Sequence, residues 1–222
     1  MKIQPDEHVC LIGTTGSGKT ELSRFLLANS NRTVVLDPKC EFKLEGFSRG
    51  WDLPLFSSDI RRIVKPRRTD DKRMASVVMQ CWRRKNVVIY VDELATISEF
   101  FEYTEDALTE VMRTGRSRKV TVWTATQRPR NVPKLFMTES RVFIVFSLAS
   151  ADDRHHVAGF IGDEVEDPIP LHAFWYRRPG MMAPALLTYD MQKGTIVQVP
   201  PPEPVEDRRY SMREEEAVWT TP

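Results

Sequence analysis

The segment GTTGSGKT, residues 13–20, combines small residues with one lysine and one threonine at a spacing that suits phosphate binding. Its three glycines let the backbone turn so that several N–H groups point at one anion. Lys19 can reach the terminal phosphates of a nucleotide, and the Thr20 hydroxyl can bind Mg²⁺. The segment follows the apolar run HVCLI and precedes a helical pattern, which is the context that such a phosphate cradle requires. A simple helix-capping turn is the alternative, and this context disfavours it. The predicted nucleotide-binding residues are Gly13, Thr14, Thr15, Gly16, Ser17, Gly18, Lys19, Thr20 and Glu21.

An acidic pair ends the apolar run VVIYVDE. Asp92 is placed to join the Mg²⁺ shell, and Glu93 is placed to polarise an attacking water as a general base. An Asp-Glu pair can also cap the following helix and do nothing else. The phosphate motif upstream favours the catalytic interpretation.

A third candidate is the glutamine in TATQRP. At the carboxyl end of a strand, Gln127 can hydrogen-bond both an attacking water and a terminal phosphate, so it can report which nucleotide is bound. Pro129 then stops the strand. A polar loop residue before a proline is the alternative interpretation. In the company of the other two motifs, we favour the catalytic role.

The elements that must position these motifs are apolar runs alternating with helical patterns. The predicted strands cover 8–12, 33–37, 86–91, 119–125 and 141–146, and the predicted helices cover 18–28, 71–84, 103–113 and 150–159. Nearly continuous apolar runs are typical of parallel strands covered by helices on both faces. The alternation predicts an α/β fold, a three-layer sandwich with right-handed crossovers and a mainly parallel sheet.

The C-terminal part of the chain has a different texture. After about residue 168 come shorter β-like pieces at 173–177, 185–190 and 195–199, which predict a C-terminal β extension in the form of a small edge hairpin. From residue 200 the sequence is rich in proline and charge, so we expect an extended tail that orders only against a neighbour. The predicted domains are therefore 1–199, including the extension, and a tail over 200–222.

Composition narrows the possible partners and compartments. Among 222 residues, 32 Lys and Arg balance 31 Asp and Glu, so any nucleic-acid contact must come from local basic clusters. The three cysteines are scattered, which favours free thiols in a reducing compartment over a zinc site. Because no apolar run approaches the ~18 residues of a membrane span, we expect a soluble intracellular protein without its own transmembrane segment.

Together these motifs resemble those of the FtsK-HerA superfamily of DNA-pumping ATPases. The resemblance rests on the strand-GTTGSGKT-helix unit, a strand ending in DPK (37–39), VVIYVDE and TATQRP, and it covers roughly residues 8–160. It implies a P-loop ATPase of the ASCE class with a RecA-like core, using ATP and Mg²⁺, in which the Gln127 strand lies between the GTTGSGKT strand and the Asp92 strand. It also implies a homo-oligomeric ring of five or six subunits around double-stranded DNA.

The basic loop RTGRSRK precedes the strand that ends at Gln127. In a parallel sheet such a loop lies at the amino edge of the strands, away from a nucleotide held at the carboxyl edge. We therefore expect Arg116, in the Gly-Arg pair that resembles the family pattern, to act on a neighbouring subunit's nucleotide as an arginine finger. A solvated basic turn is the alternative, and Arg128 is a rival contact within the same subunit.

DNA contact is predicted from basic clusters at 61–73, at 83–85 and around Arg128, Arg130 and Lys134. Mobile Lys/Arg loops facing a channel can hold the DNA backbone without reading sequence, although solvated helix ends produce similar runs.

Three functions are compatible with the resemblance. We favour the first, a genome-packaging ATPase of a tailless double-stranded DNA virus, because packaging members of the family that the chain resembles are close to a bare motor domain. Such an ATPase would work in the host cytoplasm with a capsid vertex or viral membrane protein as partner. The second is a HerA-like or conjugation-type cellular or plasmid translocase. The third is a Zot-like phage assembly ATPase that does not pump DNA.

Overall fold

The carboxyl ends of seven parallel strands form one long edge in this protein. The structure, a computed structural model, describes residues 3–28, 30–53, 59–190 and 192–200. Their ten-stranded sheet has the order β10-β9-β8-β7-β1-β6-β5-β2-β4-β3. Strands β1 to β7 pair with one another in parallel, and β8, β9 and β10 continue the sheet beyond β7 in antiparallel pairing. The strands are β1 Val9–Ile12, β2 Arg32–Leu36, β3 Ser48–Arg49, β4 Ile60–Val64, β5 Val87–Asp92, β6 Val120–Thr126, β7 Val142–Phe146, β8 Ala173–Arg177, β9 Ala185–Asp190 and β10 Thr195–Gln198.

Helices cover both faces of this sheet. They are α1 Lys19–Ala28, α2 Asp71–Arg84, α3 Leu94–Phe100, α4 Glu102–Thr114, α5 Lys134–Thr138 and α6 Ala151–Ile161. Helix α1 packs on the face that carries Val9 and Leu11 of β1. The other helices pack on the opposite face, where Cys10 and Ile12 of β1 lie. Because side chains alternate along a strand, the central strands need apolar residues at every position, which explains their continuous apolar runs.

The predicted fold class is confirmed. The protein is a RecA-like α/β sandwich with a large, mainly parallel sheet, and β6 lies between β1 and β5 as the family resemblance implied. The order places the three motifs side by side. The GTTGSGKT loop follows β1, Gln127 follows β6, and Asp92 ends β5. Since these strands are parallel, all three meet at the carboxyl edge of the sheet, where ligands bind in open α/β sheets.

The basic segment at 61–73 is not a loop throughout. Arg61 and Arg62 belong to strand β4, where Arg61 bonds Asn31 Oδ1 at 2.5 Å and Arg62 Nε donates to the Asp52 carbonyl at 3.1 Å. Arg68 stacks over the Phe100 ring, 3.7 Å from its centroid. The expectation of a mobile loop is therefore wrong for Ile60–Val64, which is a strand whose arginines bind neighbouring segments of the same chain, while the contact of this cluster with DNA stays a prediction.

Two further predictions meet the limits of the described residues. The tail predicted over 200–222 lies outside them except for Pro200, so it stays a prediction. Among the helices that the structure describes, none has both the length and the apolar character needed to span a membrane.

Candidate active site

The loop between β1 and α1 forms a narrow cradle. A Cβ atom at Gly13 would lie 2.6 Å from Phe146 Cβ and 2.9 Å from Ser17 Oγ, so only glycine fits there. Gly18 has φ +106°, a backbone conformation that other residues rarely adopt. These constraints keep the backbone close to the end of β7 and turn the loop into the amino end of α1. That helix end contributes partial positive charge, which suits an anion.

Lys19 lies inside the cradle. Its Nζ donates to the carbonyl oxygens of Gly13 at 2.5 Å and Thr14 at 2.8 Å. Burial lowers the pKa of Lys19 to about 8, while the charges of Glu93 and Asp92 oppose this shift. The site therefore holds an ammonium group that has lost much of its hydration, and a bound anion would stabilise its charged form.

A cavity of about 290 Å³ opens between this loop and the ends of β5 and β6. It gathers most of the predicted site residues. Of these, the lining includes Thr14, Thr15, Gly16, Gly18, Lys19, Thr20, Glu21, Asp92, Glu93 and Gln127. Gly13 and Ser17 shape the loop without being part of that lining.

Asp92, the last residue of β5, lies in a polar network behind the cradle. The Tyr90 hydroxyl is 3.1 Å from Asp92 Oδ1 and 2.9 Å from Ser23 Oγ. Ser23 in turn donates to the carbonyl of Lys19 at 2.8 Å. Burial raises the pKa of Asp92, and the Tyr90 hydrogen bond opposes that shift. This network fixes the carboxylate of Asp92 relative to the first turn of α1.

Glu93 is held on both of its carboxylate oxygens. Oε1 accepts from Thr126 Oγ1 at 3.1 Å and from the Gln127 backbone N–H at 3.2 Å, while Oε2 pairs with Lys39 Nζ at 3.1 Å. Its backbone has φ +85°, which for a non-glycine residue costs of order 1–3 kcal/mol. Such strain persists only where the surroundings impose it, and here it turns the buried side chain toward the cavity lining.

Gln127 connects the sheet edge to the phosphate cradle. Its Oε1 accepts from Thr15 Oγ1 at 2.7 Å, a contact between residues 112 positions apart in the chain. A change in the loop can therefore reach the end of β6 through a single hydrogen bond.

The structure adds residues that the sequence interpretation did not select: Lys39, Glu41, Ala125, Phe146, His172 and Tyr189 also line the cavity. Lys39 had a signal, since it belongs to the DPK segment after β2. Asp37 of that segment is fully buried, accepts from the Phe42 backbone N–H at 2.8 Å and pairs with Lys65 at 3.0 Å. These contacts shape the turn that presents Lys39. No sequence motif pointed to His172 or Tyr189, because both belong to the β extension.

The lining of the nucleotide cavity does not include Arg116, Arg118 or Arg128. Arg116 is in the short turn between α4 and β6, at the amino edge of the sheet, and its Nε has no hydrogen-bond partner among the described residues. Arg118 is committed to its own subunit, since it stacks over Trp82 at 4.1 Å and donates to the Trp82 carbonyl at 2.8 Å. Arg128 is exposed and lines a neighbouring cavity together with Gln127.

Comparison with known families agrees with this geometry. A model of the ATPase family associated with various cellular activities (AAA) matches residues 9–149. The chain belongs to this family. No curated protein matches the sequence.

Solved structures share the fold of this AAA ATPase at low sequence identity. The genome packaging NTPase B204 from Sulfolobus turreted icosahedral virus 2, in complex with AMPPCP, has a TM-score of 0.62 at 17% identity, with 89% of this chain and 99% of that chain covered. EssC (ATPases 2 and 3) from Geobacillus thermodenitrificans has a TM-score of 0.55 at 15% identity, with 91% of this chain and 41% of that chain covered. The cytoplasmic domain of the type VII secretion ATPase EccC from Thermomonospora curvata has a TM-score of 0.58 at 12% identity, with 82% of this chain and 23% of that chain covered. These likenesses show that the proteins share a fold.

The site of this ATPase also fits a divalent cation. Thr20 and Asp92 both line the cavity and offer a hydroxyl and a carboxylate oxygen, the hard donors that Mg²⁺ takes. In the described part of the chain, no group of three or more His, Cys, Asp or Glu side chains could hold a metal ion by itself. A cation bound here would therefore depend on phosphate and water oxygens, as Mg²⁺ does in nucleotide sites.

Proposed function

We propose that this ATPase is Mg²⁺-dependent and couples ATP hydrolysis to the translocation of double-stranded DNA, as a viral genome-packaging motor. The observation that carries the proposal is the single cavity that joins Lys19, Asp92, Glu93 and Gln127 at the carboxyl edge of the sheet. It combines a phosphate cradle, a cation site and a buried carboxylate. Those are the parts that hydrolysis of a nucleoside triphosphate requires.

Each residue has a role that follows from its contacts. Lys19 and the loop N–H groups bind the phosphates, and Thr20 and Asp92 would hold the cation. Bound Mg²⁺ supplies positive charge that neutralises the phosphate oxygens. Glu93 orients the attacking water and accepts its proton, since its carboxylate is buried and fixed on both oxygens. Gln127, bonded to Thr15, senses the state of the loop.

The packaging role is favoured by the extent of the structural match. This chain covers 99% of the packaging NTPase chain but 41% of EssC and 23% of EccC. We infer a homo-oligomeric ring of five or six subunits around the duplex, with Arg116 as the finger for a neighbour's nucleotide. Such a motor would act in the host cytoplasm against a capsid vertex or a viral membrane protein.

A motor that moves something other than viral DNA is the second candidate. The observation in its favour is that EccC, a secretion ATPase, has a TM-score of 0.58, close to that of the packaging NTPase. The sequence motifs also suit cellular translocases of the HerA type and assembly ATPases of the Zot type.

The test is the rate of ATP hydrolysis with and without linear double-stranded DNA, together with displacement of a third strand from a DNA triplex. We expect stimulation by the duplex, directional displacement of the third strand, and loss of both with Lys19→Ala. Because contacts with DNA phosphates release counterions, stimulation should fall steeply with added salt. An ATPase that hydrolyses ATP but responds to neither substrate would support the assembly role instead. Stimulation without displacement would contradict translocation.

A further inference from the structure

The nucleotide cavity has an aromatic end that the hydrolytic residues do not explain. Phe146, His172 and Tyr189 contribute to its lining, although none belongs to a motif for phosphate binding or hydrolysis. His172 and Tyr189 come from the antiparallel extension, outside residues 9–149 that match the AAA family. Their presence in the cavity needs a separate account.

Sheet topology separates this aromatic end from the acidic end. Strand β1, which carries the phosphate loop, has β6 and β5 on one side and β7, β8 and β9 on the other. With strands about 4.8 Å apart, β5 lies ~10 Å from β1 in one direction and β9 ~14 Å in the other. Asp92 and Glu93 lie at the end of β5. A triphosphate whose terminal phosphate lies beside these two carboxylates must therefore extend its nucleoside in the other direction, toward β7, β8 and β9.

The register brings both residues of the extension to the same edge as the phosphate loop. Phe146 at the end of β7 pairs with Phe174 near the start of β8, and Ala173 of β8 pairs with Thr188 of β9. His172 directly precedes Ala173, and Tyr189 directly follows Thr188. Both therefore lie at the carboxyl edge of the parallel strands.

Tyr189 is supported from behind by helix α1. Its ring packs on Phe25 with ring centroids 4.7 Å apart and an interplanar angle of 34°. Phe25 lies six residues after Lys19, which is ~9 Å farther along the helix. The half-buried Tyr189 ring is thus held on one side while it also lines the cavity, beyond the phosphate cradle.

His172 marks the boundary between the two parts of the cavity. Its Nδ1 lies 3.4 Å from the Ser17 carbonyl oxygen, and a Cβ atom at Gly18 would approach that nitrogen to 3.2 Å. The residue has φ +65°, so the turn before β8 is held in an uncommon conformation beside the cradle. The extension is therefore in contact with the phosphate loop itself.

We propose that Tyr189 is the stacking platform of a nucleobase subsite, which holds the purine ring of the bound nucleotide with His172 next to it. The inference rests on the nucleotide-binding part of the proposed function and is independent of DNA translocation. In this arrangement the motif residues bind the phosphates, and the β extension binds the base. Base-aromatic stacking uses the ring face, which every base presents.

The experiment compares two ligands that differ by the nucleoside. Binding of ADP and of inorganic pyrophosphate, each with Mg²⁺, is measured by calorimetry for the wild type, Tyr189→Ala, Tyr189→Phe and Tyr103→Ala. Tyr103 is a matched control because it is 52% exposed and does not line the cavity. We expect Tyr189→Ala to weaken ADP binding about 5-fold or more, which is the range for losing one base stack, while pyrophosphate binding stays within about 2-fold. Tyr189→Phe keeps the ring and should bind ADP like the wild type.

The other outcomes overturn the inference. Equal losses for ADP and pyrophosphate would make Tyr189 a structural support of the cradle, and no loss for either would place the base elsewhere. A wild-type protein that binds neither ligand would refute nucleotide binding altogether. If the ADP-specific loss occurs but DNA never stimulates hydrolysis, the nucleobase subsite stands and the translocase proposal fails.

Discussion

Lys39 forms an ion pair with Glu93, with 3.1 Å between Nζ and Oε2. The pair lies where two cavities meet, because Lys39, Glu93 and Gln127 line both the nucleotide cavity and a second cavity of about 270 Å³. Glu93 is 8% exposed, so Lys39 pairs with a carboxylate that has lost most of its contact with water. Lys39 therefore fixes the orientation of the proposed general base from outside the sheet.

Lys39→Gln should lower kcat by about 10- to 100-fold, because a misdirected base loses rate without losing its chemistry. Binding of ADP should change little, since the phosphate cradle does not depend on this pair. Lys43→Gln, an exposed lysine in the same turn region, is the control and should behave like the wild type. The decisive measurement is the double variant with Glu93→Gln. No further loss in the double variant identifies Lys39 as a positioning residue, and an additive loss would mean that it acts on the phosphates directly.

Glu93→Gln should bind ADP normally and lose at least about 10²-fold in kcat, because glutamine keeps the size of the side chain but cannot accept the proton from water. Steady-state hydrolysis and calorimetric ADP binding measure the two effects separately. Glu102→Gln, at an exposed position in the first turn of α4, should leave both unchanged. Turnover near the wild-type rate would assign the base to another group.

The central strands could be predicted because burial on both faces leaves a continuous apolar run. Strand β4, with the sequence IRRIV, breaks that rule: its two arginines are only half-buried near the margin of the sheet, so the sequence resembles a basic loop. Helices α3 and α5, at seven and five residues, are too short to show a clear apolar period.

The candidate site divides in the same way. Lys19, Asp92 and Glu93 could be found because each is part of a contiguous motif whose chemistry is local. The contact of Thr15 with Gln127 and the approach of Tyr189 depend on strand order, which joins segments far apart in the chain. Such tertiary pairings leave no trace in spacing, so only the structure brings these residues together.

Arg116→Ala should reduce hydrolysis by about 10³-fold if this residue completes a neighbour's site as an arginine finger. Its position at the amino edge, outside the lining of its own cavity, is the reason to expect action on another subunit. The sharp test mixes Arg116→Ala with Lys19→Ala, two inactive proteins. A finger acting between subunits lets an intact cradle meet an intact arginine in mixed rings, so activity should rise above both parents.

Arg113→Ala is the companion variant, since Arg113 is exposed at the end of α4, close to the same turn. It should retain activity. An absence of recovery in the mixture would place the role of Arg116 within its own subunit, and inactivity of Arg113→Ala would transfer the finger to that residue.

The protein should lose stability between pH 6.5 and pH 4 through His8. This residue is fully buried at the start of β1, and its Nδ1 accepts from the Val122 N–H at 2.9 Å. Burial lowers the pKa of His8 from 6.5 to about 4, and the charge of Arg116 acts in the same direction. Below pH 6.5 His8 is protonated in the unfolded chain, whereas in the folded chain it stays neutral down to about pH 4. Because the unfolded state then binds more protons, acid favours unfolding over that range.

His8→Asn isolates this effect, because the asparagine oxygen can accept from the same N–H without titrating. Free energies of unfolding from urea titrations at pH 7.5 and pH 5 measure it. We expect the wild type to lose about 2 kcal/mol more than His8→Asn between these pH values. Carboxylates that titrate in the same range affect both proteins alike, so they cancel in the comparison. Equal losses in the two proteins would mean that His8 keeps an ordinary pKa in the folded chain, and that its buried position does not exclude the proton.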